Sequence, residues 1–376
     1  MDKENANPVV GQKRGKTTTA LSFPARKKVC KTDPVVRYGK HFGRTICAVT
    51  DISTLITNGL NRMDEGELDA AAIEGLSAED RREHDIFHAL LNLIPKLDER
   101  ILEGTTEEIE HVASMKGVNT ARGDDTKGLK SAIVDWISEK GKPLDPPLSR
   151  QIKHNRGFNH PRTGQLLCPA TWDWADEKIR QGLCTGELAV PGELWPLFVY
   201  ENFTFDRAQP FVGLFRSTLL VNGYKHIFTS PSSVDQECKA TRNGNARIHG
   251  MSEVTMASIA YVATMVRFSL TSSNTFSRSD YVTDSERFYN TVMLLFTDIR
   301  ARGRMNELKA WWDLKIFPGG SAAKAPMLTD TPLALMLAQL DAEQEAAQSQ
   351  EDQLDQTGEQ TGSQMEQAGG QQEPGQ

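Results

Sequence analysis

Long apolar runs are missing from this chain. No stretch approaches the roughly 20 apolar residues that a membrane-spanning helix needs, and the opening MDKENANPVVGQKRGK lacks the apolar core of a secretory signal peptide. A soluble protein outside the usual secretory route, with no membrane partner, is expected. Cysteine is sparse: Cys30, Cys47, Cys168, Cys184 and Cys238 are five, widely spaced and without a Cys-x-x-Cys pair. That pattern argues against a disulfide framework and suits reduced thiols in an intracellular compartment. The glycosylation sequon Asn202-Phe203-Thr204 then never meets its machinery. Basic residues are absent from the C-terminal end, where 336–376 hold nine Asp/Glu and no Lys or Arg.

What is present is a charge division. Residues 1–44 carry eleven Lys/Arg against three Asp/Glu, and the stretch between the two ends carries 32 basic and 38 acidic residues. A basic arm, a mildly acidic body and an acidic tail follow. Both ends are poor in large apolar residues and are expected to be disordered, because they bury too little surface to offset ordering entropy. The body, 45–335, is long enough to bury a sizeable core. It reads as one domain, or as lobes 45–140 and 172–335 joined by a connector, 141–171, with five prolines and three glycines.

Helical periods dominate the body. Ser77 is a capping candidate for a helix with Ile86, Leu90, Leu93 and Ile94 on one face, ended or kinked by Pro95 and resumed at Leu97, Ile101 and Leu102. Leu129, Ile133, Trp136 and Ile137 form a second stripe, with Asp124 and Asp125 as capping candidates. A third helix opens at Thr255 and carries Ile259, Val262, Ala263, Val266 and Leu270. Further stripes are Phe288, Val292, Leu295 and Phe296, then Leu308, Trp311 and Trp312. Thr331-Pro332 reads as a helix start before Leu333, Met336, Leu337 and Leu340. Residues 192–205, GELWPLFVYENFTF, suit a short strand or hairpin, or a packed turn. The predicted class is mainly α: an irregular multi-helix body with long loops between a disordered basic arm and an acidic, Gln/Glu-rich tail.

The most specific local signal is basic. Lys13-Arg14, eleven intervening residues and Arg26-Lys27-Lys28 have the spacing of a bipartite nuclear import signal, whose receptor accepts Lys and Arg stems at two separated grooves. The alternative is a solvated arm that adheres to any polyanion. Gly11-Gln12-Lys13-Arg14-Gly15-Lys16-Thr17 mimics a phosphate loop but is one residue short and lacks a strand before it or a helix after it. Arg150, Lys153, Arg156 and Arg162, with Lys239, Arg242 and Arg247, are candidate anion-binding residues on two basic stretches; ordinary loop charge, or arginines bridging helices, is the competing reading. Asn243-Gly244-Asn245 reads as a turn whose amides could hold an anion.

Metal and catalytic constellations are weak. His154, His160, Cys168 and Cys184 lie six, eight and sixteen residues apart, which matches no zinc finger, knuckle or ribbon. His84 and His88 lack the glutamate of a metalloprotease helix, since Asp85 follows His84. Asp280, Asp284 and Glu286 surround a helix start, where carboxylates are favoured by the dipole. No catalytic residue, metal or cofactor is assigned.

Several long ordered segments carry a family likeness: GLKSAIVDWI (128–137), GFNHPRTGQLLCP (157–169), LFRSTLLVNGYKHIFTSPSSV (214–234), ATRNGNARIHGMSEV (240–254), ASIAYVATMVRFSL (257–270), VTDSERFYN (282–290) and WWDLKIFP (311–318). In these the chain resembles an uncharacterised domain family expanded in mushroom-forming basidiomycete fungi. The resemblance implies a fungal origin and a mainly helical domain, and brings no activity, cofactor or catalytic residue. Together these features lead to an expectation of a non-enzymatic nuclear interaction protein. Its arm would meet an import receptor, and its body a protein partner or nucleic acid. The alternatives are a transposon-derived accessory or degenerate enzyme, and a structural homo-oligomer to which Trp311 and Trp312 contribute if exposed.

Overall fold

The computed structural model describes residues 34–64, 70–102, 117–138, 142–234, 244–277 and 284–318, together with Met336 and Gln339. The first 33 residues of the expected arm and nearly all of the tail lie outside the described residues, whereas 34–44, also expected to be disordered, form most of a helix that buries Val35, Val36, Phe42 and Arg44. The helix proposed at 331–340 lies outside the described residues too, apart from Met336 and Gln339, which are helical.

The chain is mainly α. Among the described residues β-structure is limited to two isolated bridges, Pro169 with Pro196 and Tyr200 with Leu214. Contacts divide the chain into two units, Met1–Gly223 with Met256–Leu294, and Tyr224–Thr255 with Leu295–Gln376. The segment 141–171 lies wholly within the first unit. Within it Lys153, Arg156 and His160 are buried, whereas Arg150 and His154 are exposed.

The first unit is built on helices α1 (Pro34–Thr45), α2 (Ile52–Asp64), α3 (Ala70–Gly75), α4 (Ala78–Leu93), α5 (Leu97–Leu102), α6 (Asn119–Trp136), α7 (Pro161–Leu167), α8 (Glu177–Thr185), α9 (Thr218–Tyr224), α11 (Met256–Leu270) and α12 (Ser285–Thr297). The missing label, α10 (Asn245–Ile248), belongs to the second unit. Helix α11 is mainly apolar and every residue from Ala257 to Leu270 is buried, as expected of a helix surrounded by others. It packs on α6, α1 and α7. Glycines let α1 approach the start of α6: a Cβ on Gly117 would lie 2.7 Å from the Gly39 Cα. Helix α4 is capped as the sequence suggests, with the Ser77 hydroxyl accepting from the Asp80 amide at 3.0 Å. It ends at Leu93, two residues before Pro95.

Two local expectations change. Asp125 does not cap α6, which begins six residues earlier; it is buried inside the helix and pairs with Arg44 of α1 at 2.8 Å. The Tyr261 hydroxyl of α11 donates to the same carboxylate at 2.6 Å, so one buried network joins three helices. Burial opposes the Arg44 charge, but hydrogen bonds and attraction from Asp125, with Tyr261, outweigh it and hold the guanidinium above its usual pKa. Residues 192–205 form no strand; they make two single-turn 3₁₀ segments, Leu197–Val199 and Glu201–Phe203.

In the second unit, α13 (Arg302–Ile316) supplies Trp312, which is fully buried 5.2 Å from the Tyr224 ring. Tyr224 in turn stacks on Phe228 at 4.4 Å. Trp312 is thus a core residue, and Trp311 is half-buried. Asp313 accepts from the Val254 amide at 2.6 Å and pairs with Lys309, which also reaches Glu253.

Candidate interaction surface

The basic residues of 141–171 separate into two kinds. Lys153 and Arg156 are 1% and 0% exposed. The Lys153 ammonium donates to the Phe268 and Ser273 carbonyls at 2.7 and 2.6 Å and sits 3.5 Å from the Phe268 ring centre. Arg156 donates to Ser269 O at 2.9 Å and to Lys130 O and Ser149 O at 2.8 Å each. Phe268 and Ser269 end α11, where carbonyls lack intrahelical partners and the dipole attracts cations. These two side chains therefore fasten the connector to α11 and α6 and are not solvent-facing anion ligands, which corrects the reading of them as phosphate contacts. Burial, then the charges of Arg156 and Lys130, pushes Lys153 down to about 7, and burial lowers Arg156 to about 10.

The remaining candidates face outward or lie elsewhere. Arg150 is exposed and pairs with Asp135 at 2.7 Å. Arg162 is half-buried, donating to Ile137 O at 3.1 Å and lying 5.3 Å over the Phe203 ring. Arg247 is exposed on α10. Lys239 and Arg242, and the import residues Lys13, Arg14, Arg26, Lys27 and Lys28, lie outside the described residues. Asn243 lies outside the described residues; Asn245 opens α10, and its side-chain amide donates to Ile227 O at 2.5 Å. Asp280 is also outside the described residues, whereas Asp284 precedes α12 and accepts from the Gly192 amide at 3.0 Å.

Of the four His and Cys residues weighed as metal ligands, His160 and Cys184 have main-chain partners. His160 is buried, with Nε2 2.7 Å from Pro146 O and Nδ1 accepting from the Arg162 amide as the cap of α7. The Cys184 thiol donates to Phe158 O at 2.9 Å. Cys168 is buried, and burial with Asp173 pushes its thiol up to about 11, away from the reactive thiolate. Among the described residues, no three or more His, Cys, Asp or Glu side chains are grouped to hold a metal ion.

The most unusual local structure lies between Tyr200 and Arg216. Asn202, Phe203 and Phe215 have φ of 54°, 55° and 54°, and Gly213 has φ of 70°. Such conformations cost of order 1–3 kcal/mol each in non-glycine residues and persist only where the surroundings over-determine them. Here they are pinned. The Glu201 amide donates to Gly213 O at 2.8 Å, closing the base, and Phe215 is buried 5.4 Å from the Trp195 ring. The Trp195 indole donates to Thr291 at 3.1 Å. Burial also raises the Tyr200 phenol to about 12.

On this base stands the exposed run Asp206–Val212. Successive turns shape it: Gln209 N to Asp206 O at 3.1 Å, Val212 N to Gln209 O at 3.0 Å, and Ala208 N to the Asp206 carboxylate at 2.8 Å. Arg207 is tied to Thr171 O at 2.9 Å. The tip therefore holds Phe211 and Val212 in solvent at 38% and 61% exposure, beside Pro210. A preset apolar tip can enter a partner with little further ordering cost. Sequence reasoning missed it by following the aromatic run before it. Its signal is a set of turn formers, Asp206, Pro210 and Gly213, around an apolar pair.

Residues 116–317, more than half of the chain, match a family of unknown function, DUF6698, and the chain belongs to that family. No curated protein and no solved structure matches it.

Proposed function

We propose that this member of the family is a non-enzymatic nuclear interaction protein that meets its protein partner through the Asp206–Val212 tip. The observation that carries the reading is an apolar pair, Phe211 and Val212, displayed on a strained base closed by the Glu201 amide donating to Gly213 O. The strained residues, Asn202, Phe203 and the buried Phe215, lie in the base and hold the tip in one conformation. Further support comes from His160, Cys184 and Lys153, whose polar atoms are spent on main-chain groups, which argues against an accessory or degenerate enzyme built on them. The basic arm directs nuclear import, and nucleic-acid association rests on the exposed cations Arg150 and Arg247 together with the arm. A fungal origin follows from the resemblance of the segments quoted above.

Two experiments test this. A photo-crosslinking residue at Val212 of the full-length protein in cells is expected to give one discrete adduct that Phe211→Ala abolishes; a diffuse ladder unaffected by that change would refute the tip. Replacing Lys13, Arg14, Arg26, Lys27 and Lys28 by Ala is expected to shift a fluorescent fusion out of the nucleus, and unchanged nuclear signal would sink the import reading.

A further inference from the structure

A cavity of about 230 Å³ opens in the first unit. Cys47, Val49 and Ile86 give it an apolar floor, and Asp51, Glu79, Glu83 and Glu286 set four carboxylates around it against the single guanidinium of Arg82. Arg82 is held by Asn290 at 3.1 Å, and Glu83 is held by Arg62 at 2.9 Å and by Asn58. Arg82 and Glu83 thus have partners fixed by the fold. Asp51 accepts from the Thr54 amide at 3.0 Å and so starts α2. An apolar floor under a carboxylate rim suits a side chain with a methylene stem and a cationic head.

The chain carries such side chains within reach. Helix α1 is twelve residues long and ends two residues before Cys47, so it spans about 18 Å from Pro34 to the cavity. Arg26, Lys27 and Lys28 precede Pro34 by six to eight residues, which extend over about 20–28 Å. The arm can therefore run back along α1 and place this cluster at the rim. Lys13 and Arg14, further from the anchor, are drawn to the same site more weakly because loop closure costs rise with length.

We propose that the cavity is a docking site for a Lys or Arg side chain of the chain's own arm, supplied by Arg26, Lys27 or Lys28. Docking would withhold one half of the two-part basic signal from an import receptor. That consequence rests on the import reading, whereas the docking does not.

A carbodiimide test separates the two. In the full-length protein, zero-length coupling is expected to join Lys27 or Lys28 to Glu79 or Glu286, read by mass spectrometry of the cross-linked peptides. Salt near 1 M, where the screening length is about 3 Å, should cut the yield by at least about fivefold. Glu79→Gln with Glu286→Gln should do the same while the melting temperature holds. As a readout that leaves the body unaltered, a labelled peptide of residues 22–33 should bind full-length Arg26→Gln/Lys27→Gln/Lys28→Gln protein and be displaced by excess unlabelled peptide. Coupling of Lys27 and Lys28 mainly to the tail carboxylates, or only between two copies, overturns the proposal. So does a cavity that binds spermidine while arm coupling is unaffected by it.

Discussion

Removing the Asp125 carboxylate should cost about 3–5 kcal/mol, the range for breaking a buried ion pair from one side. Arg44 is 4% exposed and gives two nitrogens to Asp125, both at 2.8 Å, and the 1%-exposed Tyr261 donates to the same carboxylate at 2.6 Å. Asp125→Ala leaves a buried guanidinium without its counterion and a phenol without its acceptor. Against a domain stability of about 5–15 kcal/mol that is a large fraction. The pair itself need not be worth that much, because exchanging a buried pair for apolar residues of similar volume is often neutral or stabilising. Arg44→Met with Asp125→Leu should therefore recover most of the loss. Urea unfolding followed by far-ultraviolet circular dichroism gives both midpoints. If Asp125→Ala costs under about 1 kcal/mol, or the double variant costs the sum of its singles, the network does not couple α1, α6 and α11 as argued.

Three other outcomes are expected. Gly213→Ala, at φ of 70° with the Glu201 Cβ 3.0 Å from its new methyl, should destabilise by about 1–3 kcal/mol in thermal melts and weaken adduct formation at the tip. Lys153 titrates at about 7 in the folded protein against 10.5 ordinarily, so between about pH 7 and 10 the unfolded chain binds the extra proton and stability rises with pH. Urea midpoints at both ends of that window should show the rise in the parent and lose it in Lys153→Met. Maleimide at neutral pH should modify the exposed Cys184 well before the buried Cys47 and Cys168, as peptide mass spectrometry would show; equal rates would mean that the interior opens readily.

Periodicity found the helices because an apolar face is written at helical spacing whether or not its partner is known. Ser77, the stripe through Leu90, and the stripe from Ile259 to Leu270 all appear where the sequence places them. What it could not supply is direction. Lys153 and Arg156 look like their neighbour Arg150, yet the first two turn inward to the end of α11 and the third pairs with Asp135 in solvent. That difference is set by carbonyls of Phe268 and Ser269, more than a hundred residues away. Asp125 illustrates the same limit: its local pattern suits a cap, and only its distant partners Arg44 and Tyr261 make it a buried ion. The strain at Asn202 and Phe203 is likewise invisible locally, because it is held by the Glu201–Gly213 closure and by packing.

The two proposed surfaces also differ in where they fall along the chain. The tip and everything that supports it, from Thr171 through Trp195 and Phe215 to Thr291, lie inside the range shared with the family, 116–317. Most of the cavity lining, Cys47 to Ile86, and the basic cluster at 26–28 precede it. A device that hides or releases the arm is therefore attached to the shared domain and need not be part of it. The tip should keep its partner when the arm is neutralised, so adduct formation at Val212 by Lys27→Gln/Lys28→Gln protein in extracts, where import plays no role, should equal that of the parent. Loss of the adduct there would mean that arm and tip act as one binding surface.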